Sequence, residues 1–310
     1  MSISRTSRAL LLPAGLLALA ACAARATAPA DDHAGHVMSA PGAAPAGAAS
    51  AARDPSLPAG AAEARTRLAA SPRHGEWTVV RTGPADSVRA WVVYPERRDR
   101  APVVLVVHEI FGLSDWIRAV ADQLAADGFI AIAPDLLTMK RVPAGPTGEP
   151  NPDSARVVIR TLAADDVHRQ LRAVADWGMA LPAAHRSYGI VGFCWGGAVS
   201  FEHAVRSPGL GASVVYYGTS PAPASLASVR APVLGLYGEN DARVNATVPP
   251  ADSAMRVLGK TFEPHTFPGA GHGFLRAQDG QDGANLAATR AAWPLTVGWF
   301  RRHLEPRPAR

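Results

Sequence analysis

Between residues 103 and 267, continuous apolar runs of strand length alternate with segments whose apolar residues recur at helical spacing. Runs such as residues 103–107 and 129–133 have the composition of strands that are buried on both faces. Ser114 is a candidate cap for the helix between these two runs, whose periodic pattern ends at Gly128. Strands that alternate with helices in this way predict an α/β fold, with a mostly parallel sheet and helices on both faces.

The same alternation continues towards the C-terminus. Further helices are predicted over residues 164–179, 198–205, 253–258 and 287–300, and further strands over residues 188–191, 213–217, 233–237 and 261–267. Residues 77–81 and 88–94 alternate apolar and polar side chains, which predicts an antiparallel N-terminal hairpin at the sheet edge. Residues 137–153 are rich in Pro and Gly and fit neither period, so we expect them to cross the carboxyl-end edge of the sheet, where ligands bind in such folds.

Residues 1–21 have the composition of a bacterial export signal. Arg5 and Arg8 precede an apolar stretch that suits the core of a signal peptide and is too short to span a bilayer. The stretch ends at residues 19–22 (LAAC), which resemble the lipobox of bacterial lipoproteins, where the cysteine is acylated. We therefore expect an exported lipoprotein, anchored on the periplasmic side through Cys22. A soluble periplasmic or secreted protein is the alternative.

Residues 22–70 consist mainly of Ala, Pro, Gly and Ser and contain few large apolar side chains. Such a segment buries too little surface to offset the entropy cost of ordering, so the composition predicts a disordered tether. The remaining residues, 71–310, are predicted to form a single domain. Histidines and carboxylates occur together at residues 31–36, but a tether offers no preorganised geometry, and no metal site is expected.

The basic residues are scattered along the chain, and the formal net charge is only +5. A phosphate-binding surface needs clustered Lys and Arg, so we expect no nucleic-acid partner. Contact with a membrane is expected only through the lipid anchor, and the expected oligomeric state is a monomer.

Residues 192–197 (GFCWGG) directly follow a predicted strand and precede a predicted helix. This is the shape of a nucleophile elbow, with cysteine where serine is usual. In so sharp a turn, side chains at Gly192 and Gly196 would collide with neighbouring backbone. The sequence therefore predicts Cys194 as a nucleophile, with the Trp195 amide facing a developing oxyanion. An inert cysteine in a tight turn is the alternative.

A nucleophile of this kind needs a general base, and the base needs an acceptor that orients it. His272 lies in the glycine-rich segment 269–274, just after the last predicted strand. Asp241 follows another predicted strand and is the favoured acceptor, with Glu239 as its rival. The chain order Cys194, acid, histidine is that of the α/β-hydrolases.

These motifs resemble those of the dienelactone hydrolase family, over essentially residues 77–303. The resemblance depends on four segments in order: residues 107–112 (VHEIFG), 192–197 (GFCWGG), 238–241 (GEND) and 271–276 (GHGFLR). It implies an α/β-hydrolase fold and a hydrolase of lactones or carboxylic esters that forms an acyl-thiol intermediate. A triad, an oxyanion hole and water suffice for that chemistry, so no cofactor and no metal are expected.

By the same resemblance, Glu109 corresponds to a carboxylate that contacts the thiol and helps to deprotonate it. Ile110 supplies the second oxyanion amide, and Arg276 corresponds to an arginine that holds a substrate carboxylate, which suits the geometry of a guanidinium group. A second such arginine would be Arg156 or Arg160, and the sequence does not choose between them. A surface charge at Glu109 and a solvent-facing Arg276 are the alternatives.

Three other functions compete with this interpretation. A general carboxylesterase would use the same scaffold and the same triad. A non-catalytic periplasmic binding lipoprotein would keep the pocket, but it would not need nucleophile, acid and histidine together. A redox role for Cys194 lacks a resolving partner in the chain, because the other cysteine is Cys22.

Overall fold

The computed structural model describes residues 54–306. The predicted export signal, Cys22 and residues 22–53 of the predicted tether lie outside the described residues. The strands of the described part are β1 (Gly75–Arg81), β2 (Ser87–Val93), β3 (Ala101–Val107), β4 (Ile130–Asp135), β5 (Ala184–Phe193), β6 (Ala212–Tyr216), β7 (Val233–Asn240) and β8 (Phe262–Gly271). Its α-helices are α1 (Ala64–Ala69), α2 (Asp115–Ala126), α3 (Pro152–Ile159), α4 (Ala164–Met179), α5 (Trp195–Arg206), α6 (Ala242–Asn245), α7 (Val248–Val257) and α8 (Ala284–Leu304), and short 3₁₀-helices cover Thr138–Lys140, Pro223–Ser228 and Gln281–Gly283.

The strands form one sheet in the order β1-β2-β4-β3-β5-β6-β7-β8. The β1–β2 and β2–β4 pairs are antiparallel, and the pairs from β4 to β8 are parallel. The predicted fold class is thereby confirmed, including the antiparallel hairpin at the N-terminal edge. A parallel arrangement brings the carboxyl ends of β3, β5, β6, β7 and β8 to one edge of the sheet, where ligands bind in such folds.

Strand β3 shows why these apolar runs become central strands. All seven of its residues are buried. Val104 and Val106 belong to an apolar cluster that includes side chains of α2 and α8, whereas Val103 and Leu105 belong to a second cluster with side chains of α4 and α5. Because both faces of the strand meet a helical layer, a continuous β-branched run suits it better than an alternating pattern.

Residues 54–70, which we call the strap, depart from the predicted domain boundary. The sequence assigns them to the tether, whereas the structure packs them on the domain. Leu57, Ala59 and Ala64 are buried in the same apolar cluster as the α2 and α8 side chains, and α1 lies within the strap. The described compact unit thus begins at Asp54, before the predicted start at residue 71, because small side chains that fit closely can be buried without a periodic pattern that the sequence would reveal.

The Pro- and Gly-rich segment 137–153 leads into α3 and covers part of the carboxyl-end edge. Asn151 caps α3, since its side chain accepts a hydrogen bond of 2.9 Å from the Ser154 N–H. Leu137 and Ile159 form a small buried cluster against which Trp195 packs. The segment and α3 therefore cover the start of α5. None of the helices formed by residues 54–306 is long and apolar enough to cross a bilayer.

Candidate active site

Cys194 lies between β5 and α5 in an unusual backbone conformation, with φ 56° and ψ −115°. A Cβ atom at Gly192 would lie 1.8 Å from the Gly196 carbonyl oxygen, and one at Gly196 would lie 2.4 Å from the Val107 carbonyl oxygen. The predicted need for glycine at both positions is thereby confirmed. The Cys194 N–H donates to the Tyr216 carbonyl over 3.1 Å, which ties the turn to the neighbouring strand β6.

His272 and Asp241 directly follow β8 and β7, and their side chains are hydrogen-bonded. His272 Nδ1 lies 2.5 Å from Asp241 Oδ2, and Asp241 is buried. Glu239, the rival acceptor, instead accepts a hydrogen bond of 2.7 Å from the Gly269 N–H near the end of β8. The geometry therefore gives the two carboxylates different tasks, with Asp241 orienting the imidazole and Glu239 holding the end of the strand that leads to it.

Two partners act on the His272 imidazole, Asp241 and Cys194. Burial alone would lower the pKa of His272, but hydrogen bonds to Asp241 and Cys194 outweigh burial and raise it to about 10. Groups that accept hydrogen bonds from an imidazole ring favour its protonated form. The structure thus brings Cys194, His272 and Asp241 into one connected group, in the order that nucleophilic catalysis requires.

Glu109 and Arg276 form an ion pair beside this group, with Arg276 Nε 3.0 Å from Glu109 Oε2. Burial raises the pKa of the Glu109 carboxyl, while Arg276 and His272 oppose the rise. The resemblance assigns Glu109 to the thiol and Arg276 to a substrate carboxylate. The structure pairs the two side chains with each other, so the guanidinium group already has a carboxylate as its neighbour.

The Phe111 ring lies beside two arginine side chains, one of which is Arg276. The Arg276 guanidinium lies 5.2 Å from the centre of the Phe111 ring, and the Arg156 guanidinium lies 4.9 Å from it. Arg160, the other candidate, is exposed at the C-terminal cap of α3. Of the two arginines that the sequence leaves open, Arg156 is the one that shares an aromatic neighbour with Arg276.

His108 is a buried residue of the site that the sequence analysis missed. Its Nδ1 lies 2.7 Å from the Glu109 carbonyl oxygen, and its Nε2 accepts a hydrogen bond of 3.3 Å from the Leu136 N–H. These partners require a neutral ring with the proton on Nδ1, and burial accordingly lowers the pKa of His108. The ring also stacks on Trp195, so His108 fixes the main chain beside Ile110 and the side chain after Cys194.

Tyr217 is a second missed residue, and it lies at the centre of the charged groups. It follows β6 with a φ of 39°, and its ring centre lies 5.1 Å from that of His272. Its hydroxyl is buried and has no hydrogen-bond partner among the described residues. Burial, reinforced by Glu109 and Cys194, raises the pKa of Tyr217 well above its usual value. No periodic pattern marks such a residue, since its positive φ depends on the fold.

The two predicted oxyanion donors lie where the chain turns away from the sheet. Trp195 is the first residue of α5, so its N–H has no acceptor within the helix, and Ile110 follows Glu109 in the loop after β3.

A cavity of about 230 Å³ adjoins Trp195. Its walls include Leu162, His168, Val199, Thr219 and Pro221. Within residues 54–306, no group of three His, Cys, Asp or Glu side chains is placed to hold a metal ion.

Comparisons with known proteins agree with this geometry. The model of the "Dienelactone hydrolase family" matches residues 88–304. A "Putative carboxymethylenebutenolidase" of Salmonella typhimurium is 33% identical over 236 residues, which cover 70% of this chain and 84% of that protein. A "Probable 2-oxo-3-(5-oxofuran-2-ylidene)propanoate lactonase" of a Bradyrhizobium species is 28% identical over 243 residues, which cover 74% of this chain and 94% of that protein. The crystal structure of a "Putative Dienelactone Hydrolase" from Klebsiella pneumoniae is similar with a TM-score of 0.65 and 28% identity, covering 74% of this chain and 99% of that one.

Proposed function

This chain belongs to the dienelactone hydrolase family, and from that membership we propose that it hydrolyses lactones or carboxylic esters with Cys194 as the nucleophile. The observation that carries the proposal is the connected group of Cys194, His272 and Asp241 at the carboxyl ends of three strands. A thiol, an imidazole and a carboxylate in this arrangement supply a nucleophile, a proton carrier and the acceptor that orients the carrier.

In the proposed reaction, Cys194 attacks the scissile carbonyl carbon as a thiolate while its proton is held on His272. Because the pKa of His272 is about 10, the imidazole holds that proton at neutral pH. When the tetrahedral intermediate collapses, the acyl–oxygen bond breaks and His272 gives the proton to the leaving oxygen. Water then attacks the acyl-thiol with His272 as base, and the acid product and the free cysteine are released.

The negative charge of the tetrahedral intermediate is assigned to the backbone N–H groups of Trp195 and Ile110. The position of Trp195 at the start of α5 supports this assignment, because N–H groups at a helix N-terminus favour a negative charge. Asp241 keeps His272 in the orientation that lets one ring nitrogen face Asp241 and the other face Cys194.

We assign a carboxylate-bearing lactone or ester to the site, with Arg276 as the group that binds the substrate carboxylate. The ion pair of Arg276 with Glu109 supports this assignment, since a guanidinium group that holds one carboxylate in a partly enclosed position can hold another. Arg156 beside the same Phe111 ring adds a second positive charge. A substrate carboxylate on Arg276 would displace Glu109 from the guanidinium group and leave the Glu109 carboxylate beside the protonated His272.

The test uses a lactone that carries a carboxylate and its neutral methyl ester as a matched pair. For the wild-type chain we expect turnover of both, with a higher kcat/KM for the acid. Arg276→Ala should lower kcat/KM for the acid by about 1.5 to 3 kcal/mol of transition-state stabilisation and leave the ester nearly unchanged, because the lost contact is a charged hydrogen bond.

Arg160→Ala is the matched control, because Arg160 is exposed at the end of α3, and we expect both rates to be preserved. Equal losses on both substrates in Arg276→Ala would instead describe a general carboxylesterase on this scaffold. A wild-type chain that binds both compounds and turns over neither would favour the non-catalytic binding lipoprotein.

We also propose that the protein is exported and acylated at Cys22. The support is the order of basic residues, apolar stretch and LAAC sequence within residues 1–22. Acyl chains on that cysteine would hold the domain at the periplasmic side of a membrane.

A further inference from the structure

The strap contacts the loop that carries Arg276 through the main chain. The Ala61 N–H donates to the Arg276 carbonyl oxygen over 2.9 Å. From the loop side, the Gln278 Nε2 donates to the Pro58 carbonyl over 2.9 Å and to the Leu275 carbonyl over 3.1 Å. Pro58 and Ala61 of the strap are therefore hydrogen-bonded to residues 275–278, the segment that follows His272 and contains Arg276.

The strap is itself fixed to the body of the domain. The Trp116 Nε1 donates to the Ala59 carbonyl over 3.1 Å, and Leu57, Ala59 and Ala64 are buried. A segment that is held by burial and by an indole hydrogen bond provides a rigid support, because moving it would expose apolar surface and leave a buried indole N–H unpaired. The strap thus connects α2 to the Arg276 loop.

The strap also reaches the start of α2 and the Pro- and Gly-rich segment 137–153. Arg65 forms an ion pair of 2.8 Å with Asp115 at the start of α2, and its Nη2 donates to the Thr147 carbonyl over 2.9 Å. Pro150, three residues after Thr147, packs so closely against Gly112 that a Cβ there would lie 3.2 Å from it. The strap consequently also supports the segment whose Pro150 packs beside Gly112, the residue after Phe111.

Few other contacts fix the position of the Arg276 guanidinium. The Arg276 N–H donates to the Gly273 carbonyl over 2.9 Å within the loop, and its Nε pairs with Glu109. Among the backbone hydrogen bonds of the described residues, only the Ala61 N–H donates to the Arg276 carbonyl. Since a shift of about 1 Å in a positioning group can cost a large part of catalytic efficiency, the Ala61 contact bears directly on charge recognition.

We propose that the strap is a positioning element for substrate recognition, in which the Ala61 N–H fixes the Arg276 main chain so that the guanidinium meets a substrate carboxylate. The proposal rests on the proposed function of Arg276. It assigns a positioning role in substrate specificity to a segment that precedes residues 88–304, the part matched by the family model. Ala61 and Gln278 act through Arg276 and do not touch the substrate.

The main test is Ala61→Pro in the full chain. Ala61 is the second residue of a turn that the Glu63 N–H closes on the Gly60 carbonyl over 3.1 Å, and proline suits this position of common turns. The substitution therefore keeps the shape of the turn and removes the N–H donor, and the proline Cδ takes the place of the N–H hydrogen and displaces the Arg276 carbonyl. Gln278→Ala is a second variant that breaks the other contact without adding a proline.

We expect Ala61→Pro to raise KM for the carboxylate-bearing lactone by about three- to tenfold, the effect of one lost hydrogen bond, with kcat and the neutral ester changed less than about twofold. The double variant with Ala61→Pro and Arg276→Ala should have the same ratio of acid to ester rates as Arg276→Ala alone. Both changes act through the Arg276 guanidinium group. Amide hydrogen exchange should become faster at residues 273–278.

Arg67→Gln is the matched control within the strap. Its guanidinium bonds to the Pro55 and Leu57 carbonyls and to Gln123 of α2, away from the Arg276 loop. We expect Arg67→Gln to lower the Tm without changing the acid-to-ester ratio or the exchange of residues 273–278. A similar shift of the acid-to-ester ratio in Arg67→Gln would mean that the strap only stabilises the fold, and it would overturn the inference.

Other outcomes separate this inference from the proposed function. A wild-type chain that turns over both substrates, with an unchanged acid-to-ester ratio in Ala61→Pro and Gln278→Ala, overturns the role of the strap and leaves the hydrolase proposal intact. Equal losses on both substrates that follow the Tm also overturn it. A wild-type chain without turnover overturns the proposed function first, and the inference falls with it.

Discussion

Cys194 adopts a backbone conformation that non-glycine residues rarely adopt, with a φ of 56°. Such conformations cost on the order of 1 to 3 kcal/mol, and they persist only where the surrounding structure enforces them. Here the Cys194 N–H is held by Tyr216, and its carbonyl accepts from the Ala198 N–H. The strain is consistent with a residue whose side chain must be presented at the end of a strand, as in a nucleophile elbow.

Cys194→Ala should lower turnover by about a thousandfold or more, since only binding and the oxyanion donors remain once the attacking sulfur is removed. The fold should survive, because Ala keeps the Cβ and Cys194 is only partly buried. Turnover and thermal unfolding of the purified chain are the measurements, with Cys22→Ser as the cysteine control. Residual activity within about tenfold of wild type would assign the chemistry to another residue.

His272 gives a pH dependence whose sign follows from its raised pKa. Burial lowers this pKa, but Asp241 and Cys194 raise it to about 10 from the ordinary 6.5. Folding therefore stabilises the protonated form, and this contribution to the free energy of unfolding is fully present below pH 6.5 and is lost as the pH rises through about 10.

Asp241→Asn tests this dependence, because it removes the carboxylate whose hydrogen bond is the largest single cause that raises the pKa of His272. The stability advantage of wild type over Asp241→Asn, from urea unfolding, should be greatest below pH 6.5 and shrink towards pH 10. An NMR titration of the His272 ring should show a lower pKa in the variant. A wild-type ring that titrates at or below its ordinary value would refute the proposed hydrogen-bonded group.

At the scale of elements, the sequence predicts most of the sheet and the start of α5. Helix α4 covers the predicted residues 164–179, and the strands after residue 100 contain the predicted runs or overlap them closely. These elements are predictable because burial on both faces or on one helical face imposes a period on the sequence. The strap has no such period, which is why its packing could not be predicted.

The sequence predicts the three members of the proposed triad individually, whereas the contacts around them could not be predicted. Cys194, Asp241 and His272 stand in short motifs directly after strands, and parallel strands bring their ends together. The Glu109–Arg276 pair joins residues that are far apart in the chain, and the buried hydroxyl of Tyr217 depends on a positive φ. Such details follow from tertiary packing, and no local pattern encodes them.

The turn between β5 and α5 yields a prediction about stability. Gly192→Ala should destabilise the domain by more than about 4 kcal/mol or prevent folding, because its Cβ would meet the Gly196 carbonyl and neither backbone can move without opening the sheet. Gly298→Ala is the matched control. Gly298 is exposed in α8 with nothing within 4 Å of its added Cβ, so this change should stabilise the domain by about 0.5 to 1 kcal/mol.

Urea unfolding of both glycine variants is the measurement. Comparable stabilities for Gly192→Ala and wild type would mean that the turn relaxes in solution, and the argument for a rigid elbow would fail. A loss in Gly298→Ala as large as that in Gly192→Ala would show that alanine is tolerated poorly for a reason unrelated to the turn.

At the scale of the whole molecule, the proposed site is assembled from the ends of five strands. Glu109 follows β3, Cys194 follows β5 and Tyr217 follows β6, while Asp241 and His272 follow β7 and β8. A parallel sheet covered by helices holds these ends in fixed positions. The strap then joins the domain beside the last of these loops.

The last prediction concerns where this molecule resides. In a bacterial host the full-length protein should partition to the membrane fraction, and Cys22→Ser should not, because acylation of that single cysteine supplies the chains that anchor the domain. Fractionation with immunoblotting, and the mass of the N-terminal peptide, measure the outcome. Cys194→Ala should partition like wild type, since Cys194 lies within the fold and Cys22 is unchanged in this variant. Wild-type protein recovered as a soluble periplasmic species with an unmodified N-terminus would refute the lipid anchor. The hydrolase proposal would stand in that case, because the group of Cys194, His272 and Asp241 lies within residues 54–306 and does not depend on the anchor.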